Sequence, residues 1–274
     1  MVEGISKVRV GKHYYYLDGI HKTNLDLAKK LIVKDFDMIF IYDGYEGSGK
    51  SVKAMQDAFY CDPTLCLERV TFNPSEFRKA ILEAKKYQSV IYDEAYTGLS
   101  SRAAMSRINR ALVTMLAEIR QKNLFVFVVL PTFFDLDKYV ALWRSRALIH
   151  IYLGKKFERG YFTFYSMDRK KQLYVEGKKY YSYYKPTPNF RGRFTNYYVL
   201  NEKEYRKKKK ESLSKREKAR EEIEAAREVQ AQLFSRLAEN ESLTHKEKAE
   251  LLGLPEATYF YQLKAWKEEK GLYG

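Results

Sequence analysis

The stretch MIFIYDGYEGSGKS, residues 38–51, decides the fold. Its first seven residues form a nearly continuous apolar run of the kind a strand buried on both faces requires. Gly44-Tyr45-Glu46-Gly47-Ser48-Gly49-Lys50-Ser51 then matches GxxxxGK[ST] in full, and a helical pattern over 50–60 follows at once. The glycines let successive backbone N–H groups turn inward around phosphate oxygens, and the helix N-terminus adds positive potential. Lys50 is placed to reach the β- and γ-phosphates, and the Ser51 hydroxyl to ligate Mg2+. The expected nucleotide contacts are Gly44, Tyr45, Glu46, Gly47, Ser48, Gly49, Lys50, Ser51 and Val52.

Outward from this stretch, further apolar runs read as strands at 67–72, 89–94, 124–130 and 147–153. Helical patterns lie between them at 24–33, 50–60, 74–86 (opened by Asn73-Pro74-Ser75) and 103–122. Strands alternating with helices predict an α/β fold, a mostly parallel sheet covered on both sides, with a core over 24–155. Residues 1–23 hold a β-hairpin turned at Gly11-Lys12. The run SVIYDE ends in Asp93 and Glu94, and strand-end carboxylates of an open α/β sheet face the ligand crevice. Asp93 is expected to hold Mg2+ through water, alongside Ser51, and Glu94 to polarise an attacking water.

The order matters. A strand and a helix intervene between the glycine loop and Asp93, and a second acid follows directly. This resembles the P-loop ATPases with an added strand and a catalytic glutamate. The later features, a long helix ending in Ile119-Arg120-Gln121, a strand ending in Pro131-Thr132 and an Arg-containing return to a further strand, resemble the FtsK/HerA superfamily, nearest its Zot-like phage ATPases and viral genome-packaging ATPases. The resemblance covers roughly residues 35–155. It implies a RecA-like core, ATP and Mg2+ as cofactors, and a homo-oligomeric ring. It also implies a polar γ-phosphate sensor at the end of the fourth core strand, where Phe133 stands in place of the usual Gln and Thr132 is the candidate. An arginine is implied across the subunit boundary, because charge develops on the γ-phosphate in the transition state. Arg120, Arg144 and Arg146 are candidates, with Arg102, Arg107 and Arg110 on the segment after Glu94.

The 274 residues carry 50 Lys+Arg against 35 Asp+Glu, a net charge of +15, which favours an anionic partner, nucleic acid first. No run approaches the ~18 apolar residues of a membrane span, and the first residues lack a secretory pattern. A cytoplasmic protein is expected, in a host's cytoplasm if it is viral. Cys61 and Cys66 suggest neither disulfide nor zinc site. Residues 156–200, basic and Tyr-rich, read as an antiparallel β extension; its tyrosines either stack bases among cations or pack a sheet face. Residues 201–240 read as a charged helical linker that includes Arg206-Lys207-Lys208-Lys209-Lys210. Residues 241–274 have helix-turn-helix spacing around Gly253, with Glu256, Thr258, Tyr259, Gln262 and Lys264 expected outside and Phe260, Leu263 and Trp266 packing against the helix near Leu233 and Leu237. That module serves DNA binding or protein docking. Three functions follow: a motor that moves duplex DNA regardless of sequence, an assembly ATPase acting on virion or membrane-complex proteins, or an ATP-switched DNA-binding regulator.

Overall fold

The structure, a computed structural model, describes residues 4–93, 109, 110, 112–116, 119 and 122–271, and the chain divides into two units, residues 1–212 and 213–274. The first unit opens with a hairpin, β1 (Ser6–Val10) and β2 (His13–Leu17), turned at Gly11-Lys12. Asp18 caps α1 (Gly19–Ile32) by accepting from the His21 N–H at 3.0 Å, which starts this helix earlier than its apolar spacing alone suggests. There follow β3 (Met38–Gly44), α2 (Lys50–Cys61), β4 (Val70–Thr71), α3 (Pro74–Glu83), β5 (Ser89–Asp93), β6 (Phe125–Val129), β7 (Ala147–Tyr152), β8 (Tyr161–Tyr165), α4 (Met167–Gly177) and β9 (Phe190–Arg193). Next, α5 (Glu202–Glu239) begins in the first unit and ends in the second, which adds α6 (His245–Leu251) and α7 (Glu256–Glu269).

Among the described residues a seven-stranded sheet has the order β4-β5-β6-β3-β7-β8-β9. Its first five strands run parallel, and β8 and β9 add antiparallel at one edge. This is a mixed α/β fold with a mostly parallel central sheet, a class that fits a P-loop NTPase. Side chains alternate along each strand, so β3 sends Met38, Phe40 and Tyr42 into a core shared with Leu25 of α1 and Ala54 of α2. Ile39 and Ile41 enter a second core with Phe77 of α3 and Leu173 of α4. A strand buried on both faces has no position left for a polar stripe, which is why MIFIYDG reads as one apolar run.

Three local expectations are corrected. The strand expected over 67–72 is only Val70–Thr71, because Leu67–Arg69 form a 3-10 turn that swings the Arg69 guanidinium inward onto Asp62 and the Ser89 carbonyl. Within the expected β extension, residues 167–177 are helical. Lys170, Leu173, Tyr174 and Gly177 recur at helical spacing and are the residues this helix buries, a period hidden by the β-prone tyrosines around it. The expected helix over 103–122 falls largely outside the described residues, although 109–110 and 112–116 are helical.

The second unit packs Phe234 of α5, Ala249 of α6, and Tyr259 and Leu263 of α7 into a small core. Thr244 and Glu247 cap α6 reciprocally, and Gly253 takes the positive φ of 65° that turns the chain towards Pro255 and α7. Here Tyr259 is buried and Phe260 is 48% exposed, the reverse of the expectation. One residue is 100° on a helix, and the buried face follows Tyr259, Leu263 and Trp266 rather than Phe260. On α5 the inward residue is likewise Phe234, next to the expected Leu233. No helix among the described residues is long and apolar enough to cross a membrane.

Candidate nucleotide-binding site

Register assembles the site. Tyr42 of β3 lies beside Val129 of β6, and Val129 beside Asp93 of β5, so Asp93 stands level with the end of β3, two strands away with β6 between. This is the carboxyl edge of the parallel strands, where open α/β sheets bind ligands. Gly44 closes β3 with φ 134°, and a Cβ there would sit 2.0 Å from the Ile151 carbonyl oxygen of β7. Gly49, the N-cap of α2, has φ 101°, a backbone that side-chain-bearing residues rarely adopt. Between them Ser48 is buried, with its hydroxyl unpaired, while Tyr45 and Glu46 are exposed and Val52 is buried in α2.

Lys50 folds back along this loop and donates to the carbonyl oxygens of Gly44 and, at 3.0 Å, Tyr45. Burial lowers the pKa of its ammonium, opposed by the nearby charges of Asp43, Asp93 and Glu46. Asp93 is buried, and its Oδ2 accepts from the Tyr205 hydroxyl and from Lys209 Nζ at 3.3 Å. Burial and the charge of Asp93 push the pKa of the Tyr205 hydroxyl up, and Ser51 lies close enough to that hydroxyl to oppose the rise. Ser51 and Asp93 thus both neighbour the Tyr205 hydroxyl, and a hydroxyl and a carboxylate that already attracts an ammonium are hard oxygen donors of the kind that suit Mg2+. The structure thus brings together Gly44 to Val52, Lys50, Ser51 and Asp93.

Thr132 lies just past β6, whose continuation flanks the loop through the Gly44 N–H to Pro131 carbonyl bond of 3.3 Å. Its hydroxyl caps the 3-10 turn Phe133–Asp135 by accepting from the Phe134 N–H, and stands 3.5 Å from the Tyr183 hydroxyl. Phe133, where the sequence resemblance leads one to expect Gln, is fully buried. Arg144 and Arg146 sit elsewhere. Both precede β7, level with the start of β3, at the opposite edge of the sheet; Arg144 pairs with the buried Asp37, and Arg146 lies 5.4 Å from the Phe36 ring. Glu94, Arg102, Arg107 and Arg120 lie outside the described residues.

No family model matches the chain, and no curated protein does. Among solved structures it is similar to the genome packaging NTPase B204 of Sulfolobus turreted icosahedral virus 2, solved in complex with AMP, at 16% identity and a TM-score of 0.30 over 49% of this chain and 94% of that one.

Several site residues carry no sequence signal beyond the glycine loop itself. Asp43, immediately before Gly44, is fully buried; it accepts from the Phe133 N–H at 2.9 Å and from the Tyr183 hydroxyl, and its other oxygen lies 2.9 Å from His150 Nδ1. The His150 and Tyr183 rings stack at 3.7 Å. A charge next to the loop is the one clue that points to Asp43; His150 and Tyr183 are far away in sequence. Phe194 packs on Gly49, and Arg159 reaches to 3.7 Å from the place of a Gly47 Cβ, so an additional cation faces the loop.

Proposed function

We propose that this chain is a Mg2+-dependent ATPase of FtsK/HerA type, with a RecA-like core, whose hydrolysis cycle moves duplex DNA without regard to sequence. The observation that carries this reading is the alignment of a full glycine-rich phosphate loop, its lysine and its serine with a buried strand-end aspartate two strands away. The backbone N–H groups at the start of α2 cradle the phosphates, and Lys50 leaves the loop carbonyls for the β- and γ-phosphates. Ser51 and Asp93 would hold Mg2+, which would neutralise charge on the phosphate oxygens. Glu94, next to Asp93 in sequence, orients the attacking water. Thr132 donates its O–H to the γ-phosphate while its oxygen keeps accepting from the Phe134 N–H. The arginine that completes the site comes from a neighbouring copy in a ring. Arg120 is the preferred candidate, because Arg144 is held by Asp37 at the other edge of the sheet.

DNA is placed on the loop between α4 and β9 and its continuation. From Gly177 to Asn201 the sequence holds Lys178, Lys179, Lys185, Arg191 and Arg193 and no acid. Tyr183 anchors this loop to Asp43 beside the phosphate loop, while Tyr180 and Tyr184 are 72% and 84% exposed among the lysines. Aromatic faces among cations suit a nucleic-acid backbone and its bases. The helix-turn-helix spacing of α6 and α7 offers a second contact, through exposed Thr258, Gln262 and Lys264.

One observation favours a second reading. Leu251, Phe260 and Tyr261 leave apolar surface on the second unit at 61%, 48% and 78% exposure, which suits docking on a virion or membrane-complex protein by an assembly ATPase. Steady-state ATP hydrolysis with and without random-sequence duplex DNA separates the two. The motor predicts DNA-stimulated turnover that Lys50→Ala and Glu94→Gln abolish; turnover indifferent to DNA moves the protein-assembly reading ahead, and turnover that survives Lys50→Ala sinks both.

A further inference from the structure

The segment that leaves β9 crosses the nucleotide site before it becomes α5. Phe194 lies against Gly49, and Gln56 of α2 donates to the carbonyls of Thr195 and Tyr197 at 2.6 and 2.9 Å. The chain then turns into α5, whose first turns place Tyr205 and Lys209, one turn apart, on the same Asp93 oxygen. Lys208, between them, donates to the carbonyls of Leu67 and Val70 at 2.9 and 2.6 Å and so fixes the helix to the start of β4. Tyr205 is 3% exposed and its ring packs on Phe72 at 5.7 Å.

We propose that the start of α5 is an autoinhibitory gate on the nucleotide site, with Tyr205 and Lys209 occupying the carboxylate that Mg2+-nucleotide needs. The inference rests on the Mg2+-nucleotide reading above. The Tyr205 hydroxyl donates to Asp93 with Ser51 close by, and the Lys209 ammonium neutralises the same carboxylate oxygen. A divalent cation approaching that oxygen meets a like charge and an occupied ligand. Loading therefore lifts Tyr205 and Lys209 off Asp93. Because Tyr205, Lys208 and Lys209 lie on consecutive turns of one helix, they leave together, and the bonds of Lys208 to β4 are lost in the same step. The site thus reports its nucleotide state to α5, the helix that continues to Glu239. The closed gate lowers apparent affinity by the fraction of molecules in which it is open.

The test is the affinity of the full chain for a fluorescent ATP analogue, measured with Mg2+ and with EDTA, for the parent, Tyr205→Phe, Lys209→Met and Lys50→Ala. Tyr205→Phe keeps the packed ring, and Lys209 is partly exposed, so Lys209→Met leaves the core intact; circular dichroism and melting check both. The gate predicts Mg2+-nucleotide binding about tenfold tighter in Tyr205→Phe and in Lys209→Met, with a smaller change in EDTA. It also predicts that Mg2+-nucleotide speeds tryptic cleavage within Arg206–Lys210 of the parent. Binding in the parent that these substitutions leave unchanged or weaken overturns the gate and makes Lys209 a phosphate ligand or a bystander. Nucleotide binding absent from the parent and both opened variants overturns the gate and the nucleotide reading together, whereas binding lost only in Lys50→Ala preserves that reading.

Discussion

Asp57 and Asp93 are both buried carboxylates of the same α/β unit, and they differ in what holds them. Asp57, on α2, is enclosed by core elements: His21 Nε2 of α1 at 2.8 Å, Lys53 Nζ of its own helix at 2.6 Å, and the Tyr42 hydroxyl of β3 at 2.7 Å, each fully buried. Asp93 is held by two residues of one surface helix, and one of them, Lys209, is partly open to solvent. A carboxylate whose partners come from several packed elements is part of the fold. One whose partners arrive on a single segment at the edge of a sheet is available to a ligand that can displace that segment. The two regions therefore separate stability from function, and substitutions at each should move different observables.

The largest effect is expected at the enclosed carboxylate. Asp57→Ala leaves Lys53 as an uncompensated buried charge and costs about 3–5 kcal/mol of stability in urea unfolding; a loss below about 1 kcal/mol would break the contrast. Burial pushes the Asp57 carboxyl up, and the charges and hydrogen bonds of His21 and Lys53 outweigh it, leaving the pKa at about 2. With the folded value depressed, the contribution is present above about pH 4 and is lost as pH falls through about 2.

Next in size, Lys50→Ala weakens nucleotide binding by about 2–3 kcal/mol, roughly 100-fold in Kd by calorimetry, while leaving the unfolding midpoint nearly in place. Equal losses of stability and binding would show that the glycine loop, like Asp57, is built into the fold. Lys170 extends the enclosed class to a lone cation. Burial first, with Lys171 and Arg146 nearby, pushes its pKa down to about 7, and its Nζ donates to the Ala141 carbonyl at 2.5 Å. The unfolded chain then binds the extra proton between pH 7 and 10.5, so stability rises with pH across that window, by up to about 1.4 kcal/mol per unit. Lys170→Met flattens that slope in denaturation series at stepped pH; an unchanged slope assigns it to other groups. The smallest effect belongs to the second unit, where Thr244→Ala removes half of the α6 capping box and costs about 1 kcal/mol. Exchange of α6 and α7 amides should accelerate with no change around Asp57, and acceleration in both would mean that the units unfold as one.

The legibility of this molecule follows the same divide. The phosphate loop is carried by consecutive residues and Asp93 by the end of an apolar run, so both can be read from local pattern. The partners of Asp93 cannot, because Tyr205 and Lys209 lie 112 and 116 residues away along the chain, inside a charge-rich helix whose pattern suggests only solvation. Arg144 illustrates the opposite case. Its place before a core strand marks it as a candidate finger, whereas its partner Asp37, 107 residues earlier, draws it to the far edge of the sheet. The helix over 167–177 and the inward turn of Tyr259 were obscured by aromatic residues that satisfy strand and helix patterns alike, and only packing decides their phase.

The most direct test is hydrogen–deuterium exchange of the full chain with and without saturating Mg2+ and a non-hydrolysable ATP analogue. The account predicts slower exchange over residues 44–52, faster exchange over 202–212 and no change around Asp57. Unchanged exchange over 44–52 at saturating nucleotide would contradict it.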